Sequence, residues 1–186
     1  CVGSRAFSGV LNAVMLASCN AEGETLAEAI HRCGVNPEVL TQPLRAPGSS
    51  AAYLELHIEQ GPVLETRQIP IGVVTDIVGI RRVMITLEGR ADHAGTTPMD
   101  LRHDALVGAA RVIDACYRLA SEMNGNPHYV VATIGRIAVT PNAANAVPGK
   151  AELTLEVRSN DAAVLACFPE TLVGRVTDTL PRLGVT

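Results

Sequence analysis

The sequence predicts an α/β segment over residues 1–80, followed by an α+β unit over residues 81–186 in the order β-α-β-β-α. Three observations predict it. From residue 81 the apolar residues alternate with polar ones, the period of a half-buried strand. Residues 101–123 then carry Leu101, Ala105, Leu106, Ala109, Val112, Ile113, Cys116 and Leu119 at the spacing of one helix face. Alternation returns at Tyr129–Val139 and again at Ala151–Arg158, "AELTLEVR". Residues 161–183 read as a second helix, with Pro169 near the start of a turn and Pro181 as a late breaker. That order lacks one strand of a split, ferredoxin-like β-α-β-β-α-β unit.

The first segment is less regular. Residues 1–22 are apolar without a clear period. Residues 24–33, "ETLAEAIHRC", place Leu26, Ala29, Ile30 and Cys33 at helical spacing, and Gly34 follows as a stop. Residues 41–50, "TQPLRAPGSS", form a Pro/Gly/Ser loop. "AAYLELHI" alternates as a strand, "GPVLETRQ" suits a helix with Pro62 at its first position, and "IPIGVVTDIVGI" is β-branched enough for another strand.

Composition narrows the function classes. The 186 residues are 47% hydrophobic and 18% charged, ordinary for a globular protein. A net charge of -4 argues against a nucleic-acid or anionic-membrane surface. The absence of Trp and an aromatic content of 3% leave no stacking platform for single strands. No apolar run reaches the length of a membrane span, and no basic-then-apolar leader opens the chain. Five cysteines (Cys1, Cys19, Cys33, Cys116, Cys167) are widely spaced with no Cys-x-x-Cys pair, which predicts reduced thiols and a cytoplasmic location.

Four places combine reactive side chains with strand ends or the loops after them, where a scaffold exposes functional groups. His57 and Gln60 flank Glu59 in "LELHIEQGP"; His93 lies in "GRADHAGTTPM"; Asn145 in "PNAANAVPG"; Arg158 in "LEVRSND". Each has a plain alternative. His57 can be a hydrogen-bonded strand histidine, His93 a brace for its loop, Asn145 a turn cap, and Arg158 a surface ion pair. His31, His103 and His128 sit in polar surroundings and read as surface residues. Imidazole is a common ligand for divalent metals, but one histidine is not a site, since hydrolytic zinc sites need at least three protein ligands.

The four segments "YLELHIEQGPVLE", "IGVVTDIVGIRR", "GRADHAGTTPMDLRHDAL" and "PNAANAVPGKAELTLEVRSND", in this order, closely resemble the hydantoinase/carbamoylase amidases of the M20 metallopeptidase family. The resemblance implies a two-domain subunit. Residues 1–80 would be part of a metal-binding catalytic domain, and residues 81–186 most of a lid that dimerises and lacks its last strand. It implies hydrolysis of the C–N bond of a linear ureido group, as in an N-carbamoyl-L-amino acid or allantoate, with release of ammonia. It implies two divalent metal ions, zinc or manganese, with His57 as one ligand. Gln60, His93, Asn145 and Arg158 would bind substrate, His93 and Asn145 polarising the reacting carbonyl, and some of these residues would reach across a homodimer. The family's His-x-Asp motif, bridging aspartate, Glu-Glu pair and final histidine ligand are absent. The chain resembles an internal piece, expected to be inactive and to hold metal poorly, or none, by itself. An M20 aminoacylase or carboxypeptidase, and a non-catalytic dimerisation module, are the rival readings.

Overall fold

The computed structural model describes residues 2–46, 48–125 and 127–186. They form two units, Cys1–Pro70 and Ile71–Thr186.

The second unit is a small α+β domain. Its sheet has the order β1-β5-β3, from β1 (Gly79–Glu88), β3 (Val130–Thr140) and β5 (Lys150–Ser159), with both pairings antiparallel. The central β5 shows the predicted alternation: Ala151, Leu153, Leu155 and Val157 have no exposed surface, while the residues between them face outward. Two helices cover the buried face. Helix α5 (Ala105–Met123) buries Ala105, Ala109, Val112, Cys116, Leu119 and Ala120, one stripe at helical spacing. Helix α6 (Ala162–Val176) buries Val164, Phe168, Leu172 and Val176. Asp104 and Asp161 cap the two helices: Asp104 accepts from Leu106 and Val107 N–H, Asp161 from Ala163 N–H. The α5 pattern begins at residue 101 in the sequence, but Asp104 fixes the start at 105.

Pro169 lies inside α6, not at a turn. A proline there removes the hydrogen bond to the carbonyl four residues back, that of Leu165. Arg81 on β1 supplies a replacement donor: its Nη1 bonds the Leu165 carbonyl at 3.0 Å and also that of Ala166. Its Nη2 reaches Glu170 at 3.2 Å. A cross-element arginine thus lets the helix continue through the proline.

A second, two-stranded ribbon pairs β2 (Asp92–His93) with β4 (Ala146–Val147). At the last residue, Thr186 and Glu88 exchange both backbone hydrogen bonds, at 2.8 and 2.9 Å, along the outer edge of β1.

The first unit holds short helices: α1 (Val2–Phe7), α2 (Ala13–Leu16), α3 (Leu26–Arg32) and α4 (Val63–Thr66). Helix α3 opens on a capping box between Thr25 and Glu28, and Gly34 follows at φ 82°. The first two helices arise where the sequence shows no clear period. The strands expected at "AAYLELHI" and over most of "IPIGVVTDIVGI" do not form; only Gly79 and Ile80 join β1. Alternation and β-branching mark a chain that suits a sheet, but a strand exists only with a hydrogen-bonded neighbour. Among the described residues none pairs with 51–58 or 69–78, and Leu54 and Leu56 are 94% and 98% exposed. Pro62 is the N-cap of α4 and not its first residue.

Candidate functional site

The turn after His57 is built by Glu59. Its carboxylate accepts from the Val63 N–H at 3.0 Å and the Leu64 N–H at 2.9 Å, satisfying the free amides at the start of α4. Gln60, between this cap and Gly61, takes φ 58°, a left-handed conformation that side chains of its size rarely adopt. His57 is exposed, and its Nδ1 lies 2.7 Å from the Ile58 carbonyl, so that nitrogen donates and Nε2 is left as an acceptor or ligand in the neutral ring. Among the described residues no three His, Cys, Asp or Glu side chains come together as a metal site. The residues present therefore do not by themselves fit a metal centre.

The β2–β4 ribbon brings the backbones of His93 and Asn145 alongside each other. His93 pairs with Ala146, and the Ala94 N–H donates to the Asn145 carbonyl at 2.9 Å. The His93 ring is fixed by its own loop: Nδ1 accepts from the Gly95 N–H at 3.1 Å. That bond assigns the neutral ring its proton on Nε2, which leaves a free N–H donor. A Cβ at position 95 would stand 3.2 Å from His93 Cε1, so glycine keeps room for the ring. The Asn145 side chain is exposed and makes no hydrogen bond among the described residues. In this register His93 stands beside Ala146 and Asn145 beside Ala94, so the two side chains leave opposite faces of the ribbon, and each, an imidazole N–H or an amide, is by itself a donor suited to a polarised carbonyl oxygen. The ribbon base is tight: a Cβ on Gly149 would meet the Ala91 amide nitrogen at 2.7 Å.

Arg158 stands elsewhere. It faces out from β5 eight residues beyond Lys150, about 26 Å of strand from where the Asn145 loop joins. The groove beside it contains neither His93 nor Asn145. Arg158 Nη2 holds Glu156 at 2.6 Å, and Glu156 also accepts from Arg82 Nε at 2.6 Å. The Arg82 and Arg158 guanidinium groups hold the Glu156 carboxyl below the usual carboxylate range.

The remaining histidines divide. His31 is exposed, and the exposed His128 pairs with Asp161 at 3.0 Å. His103 is not a surface residue: it is half-buried, its Nδ1 lies 3.0 Å from the Gly184 carbonyl, and any Cβ at position 184 would overlap its ring. Burial raises the Cys116 thiol pKa, away from nucleophilic use, while Cys19, Cys33 and Cys167 are free and exposed; Cys1 lies outside the described residues.

The comparisons with known proteins bear on the family. Residues 76–183 match the M20 peptidase dimerisation domain. An N-carbamoyl-L-amino-acid amidohydrolase of Paenarthrobacter aurescens is 39% identical over 99% of this chain and 44% of its own length. An allantoate amidohydrolase of Escherichia coli strain K12 is 42% identical over 83% of this chain and 36% of its own length. The crystal structure of a hydantoinase/carbamoylase family amidase from Burkholderia multivorans superposes with a TM-score of 0.81 at 37% identity, covering all of this chain and 44% of that one. The chain thus spans less than half the length of these relatives. With a match over more than half its residues and a sheet-and-two-helix domain in the same place, the chain belongs to the M20 peptidase dimerisation-domain family.

Proposed function

We infer that this chain is the lid-bearing part of an amidohydrolase that cleaves the C–N bond of a linear ureido group in a small carboxylate, an N-carbamoyl-L-amino acid or allantoate, and releases ammonia. The observation that carries the reading is that one ribbon holds two unengaged donors, the His93 Nε2–H and the Asn145 amide, in a chain whose relatives are named for this chemistry. The ureido oxygen gains negative charge as the carbon is attacked, and donors already in place stabilise that charge without reorganising. Arg158 offers a planar, permanently charged fork for the substrate carboxylate. Gln60, held at φ 58°, is a further substrate contact.

Residues 1–80 are assigned to the catalytic domain and residues 81–186 to the lid. The hydrogen bonds between Thr186 and Glu88 support a fourth strand along the outer edge of β1, which would complete the ferredoxin-like order. A dimer through this domain follows from its family. His93 and Asn145 then serve the partner's site while Arg158 serves its own, which accounts for their separation on one chain. Zinc or manganese ions belong to the proposed complete enzyme, with His57 supplying one ligand. The steps assigned to the present residues are binding, orientation and polarisation. No described helix is long and apolar enough to cross a membrane, and a cytoplasmic enzyme is the accompanying proposal.

The test is a steady-state assay of the full-length protein with N-carbamoyl amino acids, allantoate and N-acyl amino acids, with divalent metal added. Ammonia release from a ureido substrate is expected. Turnover of the N-acyl amino acids alone would point to an aminoacylase, and no turnover of any would leave a dimerisation module.

A further inference from the structure

The open face of the sheet carries a charge imbalance. Strand β5 turns Lys150, Glu152, Glu156 and Arg158 to this face, β1 adds Arg82 and Glu88, and β3 adds Arg136, four cations to three carboxylates. Lys150 pairs with Glu152 at 3.0 Å, and Arg82 and Arg158 share Glu156. Both β5 carboxylates are therefore engaged. Arg136 has no carboxylate partner among the described residues.

A bulge places Arg136 on this face. Val130, Ala132 and Ile134 face the helices, so strict alternation would turn residue 136 inward as well. The pairing instead runs Ile134 with Leu155 and then Arg136 with Thr154, leaving Gly135 unmatched. The extra residue shifts the phase. Ile137 and Val139 then stand opposite the buried Leu153 and Ala151, and Arg136 points outward. An unpaired guanidinium in the core would be prohibitive, so the bulge and the arginine belong together. Tyr129, Val131, Thr133, Arg136, Glu156 and Arg158 line one open groove of about 540 Å³.

We propose that Arg136 is a specificity-determining residue that binds a second anionic group, so that the substrates preferred by the enzyme carry an acidic side chain, as N-carbamoyl-aspartate and N-carbamoyl-glutamate do. This rests on the reading of Arg158 as the carboxylate anchor. Arg136 lies opposite Thr154, four residues from Arg158, about 13 Å along the sheet. Both arginines line the one groove, and a small dicarboxylate spanning that gap would meet a guanidinium at each end, displacing Glu156 from Arg158.

The experiment compares kcat/KM for N-carbamoyl-aspartate, N-carbamoyl-glutamate and N-carbamoyl-alanine in the full-length protein, its Arg136→Ala variant and its Arg158→Ala variant. Arg136→Ala is expected to lower kcat/KM for the two acidic substrates at least ~10-fold, through KM, and to leave N-carbamoyl-alanine within about twofold. The ratio between substrates is independent of the fraction of folded enzyme, so a folding defect cannot imitate the result. Equal effects on all three substrates, no effect on any, or a wild-type protein that rejects the acidic pair would overturn the proposal. Arg158→Ala is expected to raise KM for all three; if it does not, the anchor reading fails, and that outcome is distinct from a failure at Arg136.

Discussion

Asn145 admits two roles that one substitution separates. As a turn cap it would stabilise the loop, and Asn145→Ala would destabilise the fold by about 1 kcal/mol. As a donor to the reacting oxygen it would matter only once charge develops there. The side chain makes no hydrogen bond among the described residues, while the loop is held by backbone bonds: Ala94 N–H to the Asn145 carbonyl at 2.9 Å and Gly149 N–H to the Thr140 carbonyl at 3.0 Å. Asn145→Ala in the full-length protein should therefore leave the urea midpoint unchanged and lower kcat by about 10²-fold with a smaller effect on KM. A shifted midpoint with kcat intact would return Asn145 to the structural role. His93 shows how closely the ribbon is tuned at this scale. Gly95 donates to its Nδ1 at 3.1 Å, and that single bond decides which nitrogen of the neutral ring carries the free proton.

Helix α6 depends on a neighbour for its continuity. Pro169 takes away the donor for the Leu165 carbonyl, and Arg81 on β1 provides another. Removing the arginine strands a partly buried carbonyl, so Arg81→Ala should destabilise the full-length protein by about 1–2 kcal/mol. Pro169→Ala restores the helix's own N–H, so the same arginine substitution should have a much smaller effect in that background. A double-mutant cycle in urea measures the coupling, and additive effects would show that Arg81 does not compensate the proline. The sequence shows Pro169 but not its remedy, because the remedy comes from residue 81 across the fold. The same limit runs through the other elements. β1, β3, β5 and both long helices were legible because each carries its own period. The two-residue strands β2 and β4 were not, since two residues have no period, and the expectation for "AAYLELHI" misread alternation as pairing. The bulge at Gly135 is also invisible to pattern, because it shows only as a pairing that skips one residue. The candidate residues themselves came from resemblance; that His93 and Asn145 share one ribbon while Arg158 stands apart needed the register.

Within one molecule, the ribbon and Arg158, the proposed carboxylate anchor, are set apart, the ribbon joining β5 at Lys150 and Arg158 lying eight residues on. A single lid does not collect both for one small substrate, whereas under the proposed function a symmetric pair of lids would, if a two-fold interface gave each site one subunit's Arg158 and the other's His93 and Asn145. This arrangement has a consequence that activity measurements on single variants would miss. His93→Ala and Arg158→Ala proteins should each be nearly inactive alone, since every site in either homodimer lacks one group. Co-expressed in equal amounts, half the dimers are mixed, and each mixed dimer holds one site with both defects and one with neither. Activity should therefore return to about one quarter of wild type, the value set by two-fold symmetry. If both groups served the same subunit's site, every site in the mixed dimer would still lack one of them, and no activity would return. Purifying the mixed dimer on two different affinity tags and assaying it directly would double the signal to about one half of wild type under shared sites, and leave it at the single-variant level otherwise.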